Sequence, residues 1–214
     1  MAGTLSGRHA LVTGAGRGIG AAIARRLAAN GARLTLLGRQ HAPLKALAAE
    51  LGPGSQAVAC DVADAESVAH ALAETTATAG PVHVLVNNAG QAASAPFTRT
   101  SDALRQQLLA VNLTGTFLVT RAALPGMLGA NGGRIVNAVC PGYTETDLLR
   151  QGLDNVMAKP GRSAEEARGE FARSNPQGRL VQPEEVADAV AWLCGACAAS
   201  VHGQSISVSG GEVM

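Results

Sequence analysis

The chain has 214 residues, 47% of them hydrophobic, 15% charged and only 2% aromatic, with a formal net charge of +1. That length suits one domain around one sizeable core, and a nearly neutral chain without a long basic run excludes an electrostatic footprint for nucleic acid or an anionic membrane, leaving a small molecule as the expected partner. Residues 1–7 are too short and polar for a secretory signal, no uninterrupted apolar run reaches the roughly 18 residues that span a bilayer, and Cys60, Cys140, Cys194 and Cys197 are too scattered for a disulfide framework; a cytoplasmic protein with reduced thiols is expected.

In chain order, residues 11–13 end an apolar run, a glycine-rich turn follows, and residues 21–29 have helical periodicity with Ile23 and Leu27 on one face. Residues 33–37 read as the next strand and 43–51 as a helix stopped by Gly52, Pro53 and Gly54. A strand at 56–60 ends at Asp61, and a helix over 64–78 has Asp64 as its cap. Residues 82–86 form a buried strand, a polar loop runs through Arg99, and a long helix begins near Ser101. Residues 134–139 give one more strand. The stretch 144–180 is polar and broken by Pro160, Gly161 and Pro176, which suits a substrate lid. Pro183 opens the last helix, with Glu184 and Glu185 in its first turn, and 205–208 closes the chain as a strand. Alternating strands and helices predict a single α/β domain over 1–214, a doubly wound Rossmann-type fold on a parallel sheet.

Thr13-Gly14-Ala15-Gly16-Arg17-Gly18-Ile19-Gly20 lies between the first strand and first helix, where the chain turns tightly and can bring backbone amides to a pyrophosphate. A NAD site places a carboxylate about 20 residues beyond these glycines to bind the ribose 2′-hydroxyl. Residues 1–49 contain no Asp or Glu. Arg17 in the loop and Arg39 after the second strand could instead meet a 2′-phosphate, so NADP(H) is expected over NAD(H).

The pattern resembles the short-chain dehydrogenase/reductase family. Gly14, Gly18 and Gly20 match its T-G-x-x-x-G-x-G, Asp61-Val62 its adenine-side pair, and Asn87-Asn88-Ala89-Gly90 its N-N-A-G. Asn112 falls where the family has the asparagine that holds a proton-relay water; the alternative is an ordinary helix kink. Pro141, Gly142 and Thr146 fall on its P-G-x-x-x-T, whose turn and threonine meet the nicotinamide carboxamide, and Ser209-Gly210-Gly211 resembles its C-terminal strand end. The resemblance implies a cofactor site made of Thr13, Gly14, Gly16, Arg17, Gly18, Ile19, Gly20, Arg39, Asp61, Val62, Asn88, Ala89, Gly90, Pro141, Gly142 and Thr146, and an oxidoreductase reducing a ketone or 3-oxoacyl group.

The family's chemistry rests on a serine after the fifth strand and a Tyr-x-x-x-Lys on the next helix. Here the sole tyrosine, Tyr143, is followed four positions later by Asp147, the only lysines are Lys45 and Lys159, and no serine lies between Ser101 and Ser163. Asn112 is then the one retained catalytic position. Residues 134–137 look like the family's fifth strand and residues 136–142 like the end of its sixth, sharing one Val-Asn. A missing α/β crossover unit of roughly 30 residues explains the overlap. One strand would then stand where the family has two, and the sheet would close up by one strand and one helix. Loss of that helix would disrupt the family's homo-oligomer interface and bare apolar surface on the preceding helix. Without the acid, hydride transfer should lose a factor of about 10² to 10⁴, and Tyr143 has no lysine placed to lower its pKa. Cys194-Gly195-Ala196-Cys197 lacks a second ligand pair for zinc even with His202 nearby, so no metal is expected; His9, His41, His70 and His83 have no catalytic spacing and read as surface or structural. Three readings stay open: an active reductase, an NADP(H)-binding protein without catalysis, and a deletion or wrong gene-model form of an active reductase.

Overall fold

A computed structural model describes residues 4–93, 96–137, 139–147, 149–150 and 163–212. Its elements run β1 (His9–Thr13), α1 (Gly18–Ala29), β2 (Arg33–Gly38), α2 (His41–Leu51), β3 (Ser55–Ala59), α3 (Ala65–Ala79), β4 (Val84–Val86), α4 (Asp102–Leu109), α5 (Thr116–Gly129), β5 (Arg134–Val136), β6 (Val139–Pro141), α6 (Ala164–Arg173), α7 (Pro183–Cys194) and β7 (Ile206–Val208). The main sheet is parallel, in the order β3-β2-β1-β4-β5. This is the Rossmann-like arrangement the alternation predicts.

Period-2 alternation distributes the strands' side chains to two cores. Ala10, Val12, Leu34, Leu36, Val84 and Val86 pack with α1, α2 and α7. On the other face Leu11, Leu37, Val58 and Leu85 pack with α3 and α5. Several helix starts follow the local chemistry. The Asp64 carboxylate accepts from Glu66 N–H and Ser67 N–H at the head of α3, and the Ser101 hydroxyl accepts from Leu104 N–H at the head of α4. At the head of α7, Glu185 reaches back to Gln182 N–H (2.8 Å) and forms a two-pronged ion pair with Arg179, both contacts 2.7 Å. These interactions, the Arg179 pair foremost, hold the Glu185 carboxyl down at about 2.

The segment 134–141 departs from the single-strand expectation. It supplies two three-residue strands: β5 pairs with β4, and β6 pairs with β7 in a separate two-stranded parallel sheet. Asn137 and residue 138, the latter outside the described residues, are all that join them. Parallel neighbours need a crossover of about a dozen residues, so strands joined this closely cannot pair with each other. The chain steps from one sheet to the other, and the sheet is interrupted there rather than closed up by one.

Helices α4 and α5 are bridged by a π-helical turn over Ala110–Gly115, making one rod, Asp102–Gly129, of 28 residues. The rod is long and apolar enough that by length and composition alone it could cross a membrane, and most of its apolar stretch is not buried. Leu109, Leu113, Phe117, Leu124 and Leu128 are exposed along it, Leu113 and Leu128 at 66%. The apolar surface expected on the preceding helix is therefore present.

The predicted lid region, 144–180, holds α6, a regular helix within what the sequence predicts as a polar, broken stretch. A capping box at Ser163 and Glu166 starts this helix. Residues 148 and 151–162 of that region lie outside the described residues.

Candidate cofactor-binding site

The strand order reverses between β1 and β4, and in open α/β sheets ligands bind beyond the carboxyl ends of the strands at such a point. Thr13 and Asn88 tie these two strand ends together. The buried Thr13 hydroxyl accepts from Asn88 N–H (3.0 Å) and Ala89 N–H (2.9 Å), while Asn88 Nδ2 donates to the carbonyls of Thr13 (2.9 Å) and Gly14 (3.3 Å). Both side chains are thereby occupied in shaping the cleft.

The glycines are needed where the loops meet. Gly14 has φ +64°, and a Cβ there would stand 2.9 Å from Ala89 Cα. A Cβ on Gly20 would fall 2.5 Å from Asn88 Nδ2. Gly18, at φ +53°, opens α1, and its Cβ position lies 3.3 Å from Thr146 Cγ2, so the turn after β6 adjoins the glycine loop. Gly16 faces Pro43 at an ordinary 3.5 Å. The first turn of α1 has no acidic residue and no side-chain cap, which leaves its amides available to an anion.

Arg17 precedes that helix and Arg39 follows β2; both are exposed. Ala15 N–H donates to Leu37 O (3.1 Å), bringing the glycine loop to the end of β2. The ion pairs found among the described residues use other arginines, and Glu50, the first acidic residue in the chain, pairs with Arg25 on the surface. Ile19 is half-buried, with its side chain packed against the core.

Asp61 caps its own turn, accepting from Ala63 N–H at 3.0 Å. Val62 lies under the π-helical turn, where a Cβ on Gly115 would approach its Cγ2 to 2.8 Å. Asn112, within that turn, is exposed and clamps the backbone of one residue: its Oδ1 accepts from Gln91 N–H and its Nδ2 donates to Gln91 O, both at 2.8 Å. Asn112 thus fixes the loop after Gly90, with Gly90's Cβ position 3.5 Å from its Oδ1. Pro141 ends β6, and Gly142 N–H donates to Val208 O at 3.3 Å.

Three further features carry weaker sequence signals. Asn87 Nδ2 donates to Thr120 Oγ1 (3.0 Å) and Asn137 Oδ1 (2.7 Å), leaving Asn87 Oδ1 buried without a partner. Glu212 accepts from Tyr143 N–H, and Tyr143 itself stacks edge-on against Phe171, centroids 4.8 Å apart. The S-x-x-E spacing at Ser163 was a readable signal for α6; nothing local marks Glu212. The C-x-x-C is divided, Cys197 being exposed and Cys194 buried, with burial pushing the Cys194 thiol up to about 12.

Residues 8–138 match the family model described as short chain dehydrogenase, and residues 128–212 match that described as enoyl-(acyl carrier protein) reductase. The chain is 35% identical to a D-threitol dehydrogenase of Mycolicibacterium smegmatis over 242 positions, covering 97% of this chain and 93% of the relative. It is 32% identical to a 3-oxoacyl-(acyl-carrier-protein) reductase of Aquifex aeolicus over 253 positions, covering 97% and 98%. Both alignments are longer than the chain's own 214 residues. A crystal structure of an actinorhodin polyketide ketoreductase variant with NADPH superposes with a TM-score of 0.91 at 34% identity, over 99% of each chain. With a family model spanning more than half its length and relatives above 30% identity over nearly all of it, the chain belongs to the short chain dehydrogenase family of oxidoreductases.

Proposed function

We propose that this chain holds NADP(H) at the β1/β4 switch point and does not by itself reduce a ketone or 3-oxoacyl group. The observation that carries the reading is the glycine cradle. Gly14 and Gly20 sit where a side chain would strike Ala89 or Asn88, Gly18 holds a positive φ close against Thr146, and the first turn of α1 is left uncapped. In this reading the amides of residues 14–20 meet the pyrophosphate, with Gly16 and Ile19 contributing backbone. Thr13, Asn88, Ala89 and Gly90 form the cleft floor, and Asp61 and Val62 flank the adenine. Pro141, Gly142 and Thr146 line the nicotinamide end. Arg17 and Arg39 read the 2′-phosphate, since an acid that would read a bare ribose is missing from residues 1–49. When bound, the cofactor supplies a hydride.

What the chain does not supply is the proton. Its one tyrosine is Tyr143, half-exposed and packed on Phe171, with Asp147 where the family motif would need lysine. Asn112, the retained family position, has its amide engaged by Gln91. The two-residue link between β5 and β6 supports the loss of a crossover unit, as do alignments longer than the chain. That observation also favours a second reading, a deletion or wrong gene-model form of an active reductase, which resequencing the gene across codons 134–141 decides. Cytoplasmic residence and a disrupted family oligomer interface belong to the same proposal.

The test is a fluorescence titration with NADPH and NADH, followed by addition of ketones and 3-oxoacyl thioesters. Saturable NADPH binding without oxidation is the expected result. Oxidation would show an acid elsewhere, with Tyr143→Phe the first variant to make, and absence of binding would overturn the reading.

A further inference from the structure

Helix α6 is docked on the turn after β6 by contacts from three segments. Arg168 pairs with Glu145, and Phe171 stacks on Tyr143. Just past the helix Asn175 is buried beneath Gly210, whose φ of +63° and Cβ position 2.5 Å from Asn175 Oδ1 leave room for no side chain. The third segment is the chain's C-terminal stretch. Glu212 accepts from Tyr143 N–H through Oε2 (3.1 Å) and from the Ser174 hydroxyl through Oε1 (2.6 Å), so one carboxylate spans the turn and the end of α6.

Two observations show that the contact is built into the fold. A Cβ on Gly142 would collide with Glu212 Oε2 and stand 3.1 Å from Ser209 Cα, so this glycine makes room for the carboxylate. The Tyr143 backbone is held on both sides: its carbonyl accepts from Val181 N–H at 3.0 Å, and its N–H is held by Glu212. Glu145 N–H in turn donates to Val181 O at 2.9 Å. The same turn continues to Thr146, which touches the glycine loop at Gly18.

We propose that Glu212 is a positioning residue: it clips α6 to the 141–146 turn and thereby fixes the wall at the nicotinamide end of the cleft. The inference rests on the cofactor reading for which end of the ligand is affected, and not for the clip itself. The clipped turn reaches the glycine loop only through Thr146 at Gly18, and Arg17 and Arg39, at the 2′-phosphate end, lie on other segments, so the main effect falls on the nicotinamide end.

The test compares the parent chain with Glu212→Ala, Glu212→Gln and Ser174→Ala. Amide hydrogen exchange reports α6 without any ligand. Fluorescence titration reports NADPH, and competition reports adenosine 2′,5′-bisphosphate, which lacks the nicotinamide half. Loss of two hydrogen bonds to one charged acceptor is expected to weaken NADPH about tenfold or more in Glu212→Ala, with faster exchange in α6 and bisphosphate affinity unchanged. Unchanged bisphosphate binding also shows that the variant is folded. Glu212→Gln should restore most of the effect, because an amide oxygen can accept from Tyr143 N–H while its NH2 donates to Ser174. Ser174→Ala should be intermediate. Unchanged α6 exchange in Glu212→Ala overturns the clip, and faster exchange with unchanged NADPH affinity overturns its positioning role. A parent chain that binds neither ligand overturns the cofactor reading, and the exchange result alone then decides the clip.

Discussion

At the scale of single residues, the cleft depends on a few atoms that must be absent and, in the proposed cofactor reading, on a few charges that must be present. Gly14 is the sharpest case of the first kind. Its positive φ and its 2.9 Å approach to Ala89 leave no place for a methyl group, so Gly14→Ala is expected to cost about 1–3 kcal/mol, measured as a lowered urea midpoint, and to abolish NADPH binding. Arg17 and Arg39 are the second kind. Charge-assisted hydrogen bonds of about 1.5–3 kcal/mol imply that Arg17→Ala or Arg39→Ala weakens NADPH by roughly 10- to 100-fold while leaving NADH nearly unaffected. Equal losses for both nucleotides in the titration would count against a 2′-phosphate contact. The glycine spacing was visible in the sequence because it is local. The collision at Gly142 was not, because its partner Glu212 is 70 residues away; at Gly20 a Cβ would meet both Gly14 O within the loop and Asn88 Nδ2, 68 residues away.

At the scale of elements, a buried polar cluster joins the lower ends of the strands. His9 is fully buried at the start of β1; its Nδ1 lies 3.0 Å from Gly80 O and 3.2 Å from Pro81 O, and its Nε2 lies 2.9 Å from Thr35 Oγ1. Carbonyls only accept, so the proton sits on Nδ1, and Nε2 accepts from the Thr35 hydroxyl. Gln56 Nε2 donates to that hydroxyl at 2.7 Å. Burial pushes the His9 pKa below its ordinary 6.5, with Arg33 and His83 adding to the shift against the two backbone carbonyls. The unfolded chain therefore binds the proton first. This contribution to stability is complete above about pH 6.5 and is lost as pH falls below it. Urea midpoints are expected to fall between pH 7 and pH 5, with a shallower fall in His9→Gln; parallel profiles for the two proteins would contradict this. From the sequence His9 could only be placed among surface or structural histidines, since burial is decided by strands and loops distant in the chain.

At the scale of the whole molecule, the rod α4–α5 presents Leu113, Phe117 and Leu128 to solvent on a continuous helical stripe. Contiguous apolar surface of this kind promotes association. The purified chain is expected to self-associate in light scattering, and Leu113→Ser combined with Phe117→Ser and Leu128→Ser is expected to shift it toward monomer without changing NADPH affinity. A parent chain that is monomeric at high concentration would contradict this. The interrupted sheet makes a related point. Residues 134–139 read in sequence as one strand, and the link between β5 and β6 is too short for paired parallel neighbours, yet the segment serves both sheets in turn.

The amino-acid sequence by itself determined the alternation of strands and helices, the glycine loop, the missing acid for a ribose and the missing Tyr-x-x-x-Lys, because each of these is carried by residues close together in the chain or by composition. The tertiary structure decided which contacts those residues make: that Thr13 and Asn88 lock the switch point, that Asn112 clamps Gln91, that the sheet divides between β5 and β6, and that Glu212 reaches Tyr143 and Ser174. Such contacts join residues 21 to 75 positions apart, and only the packing of helices on the sheet sets those separations in space.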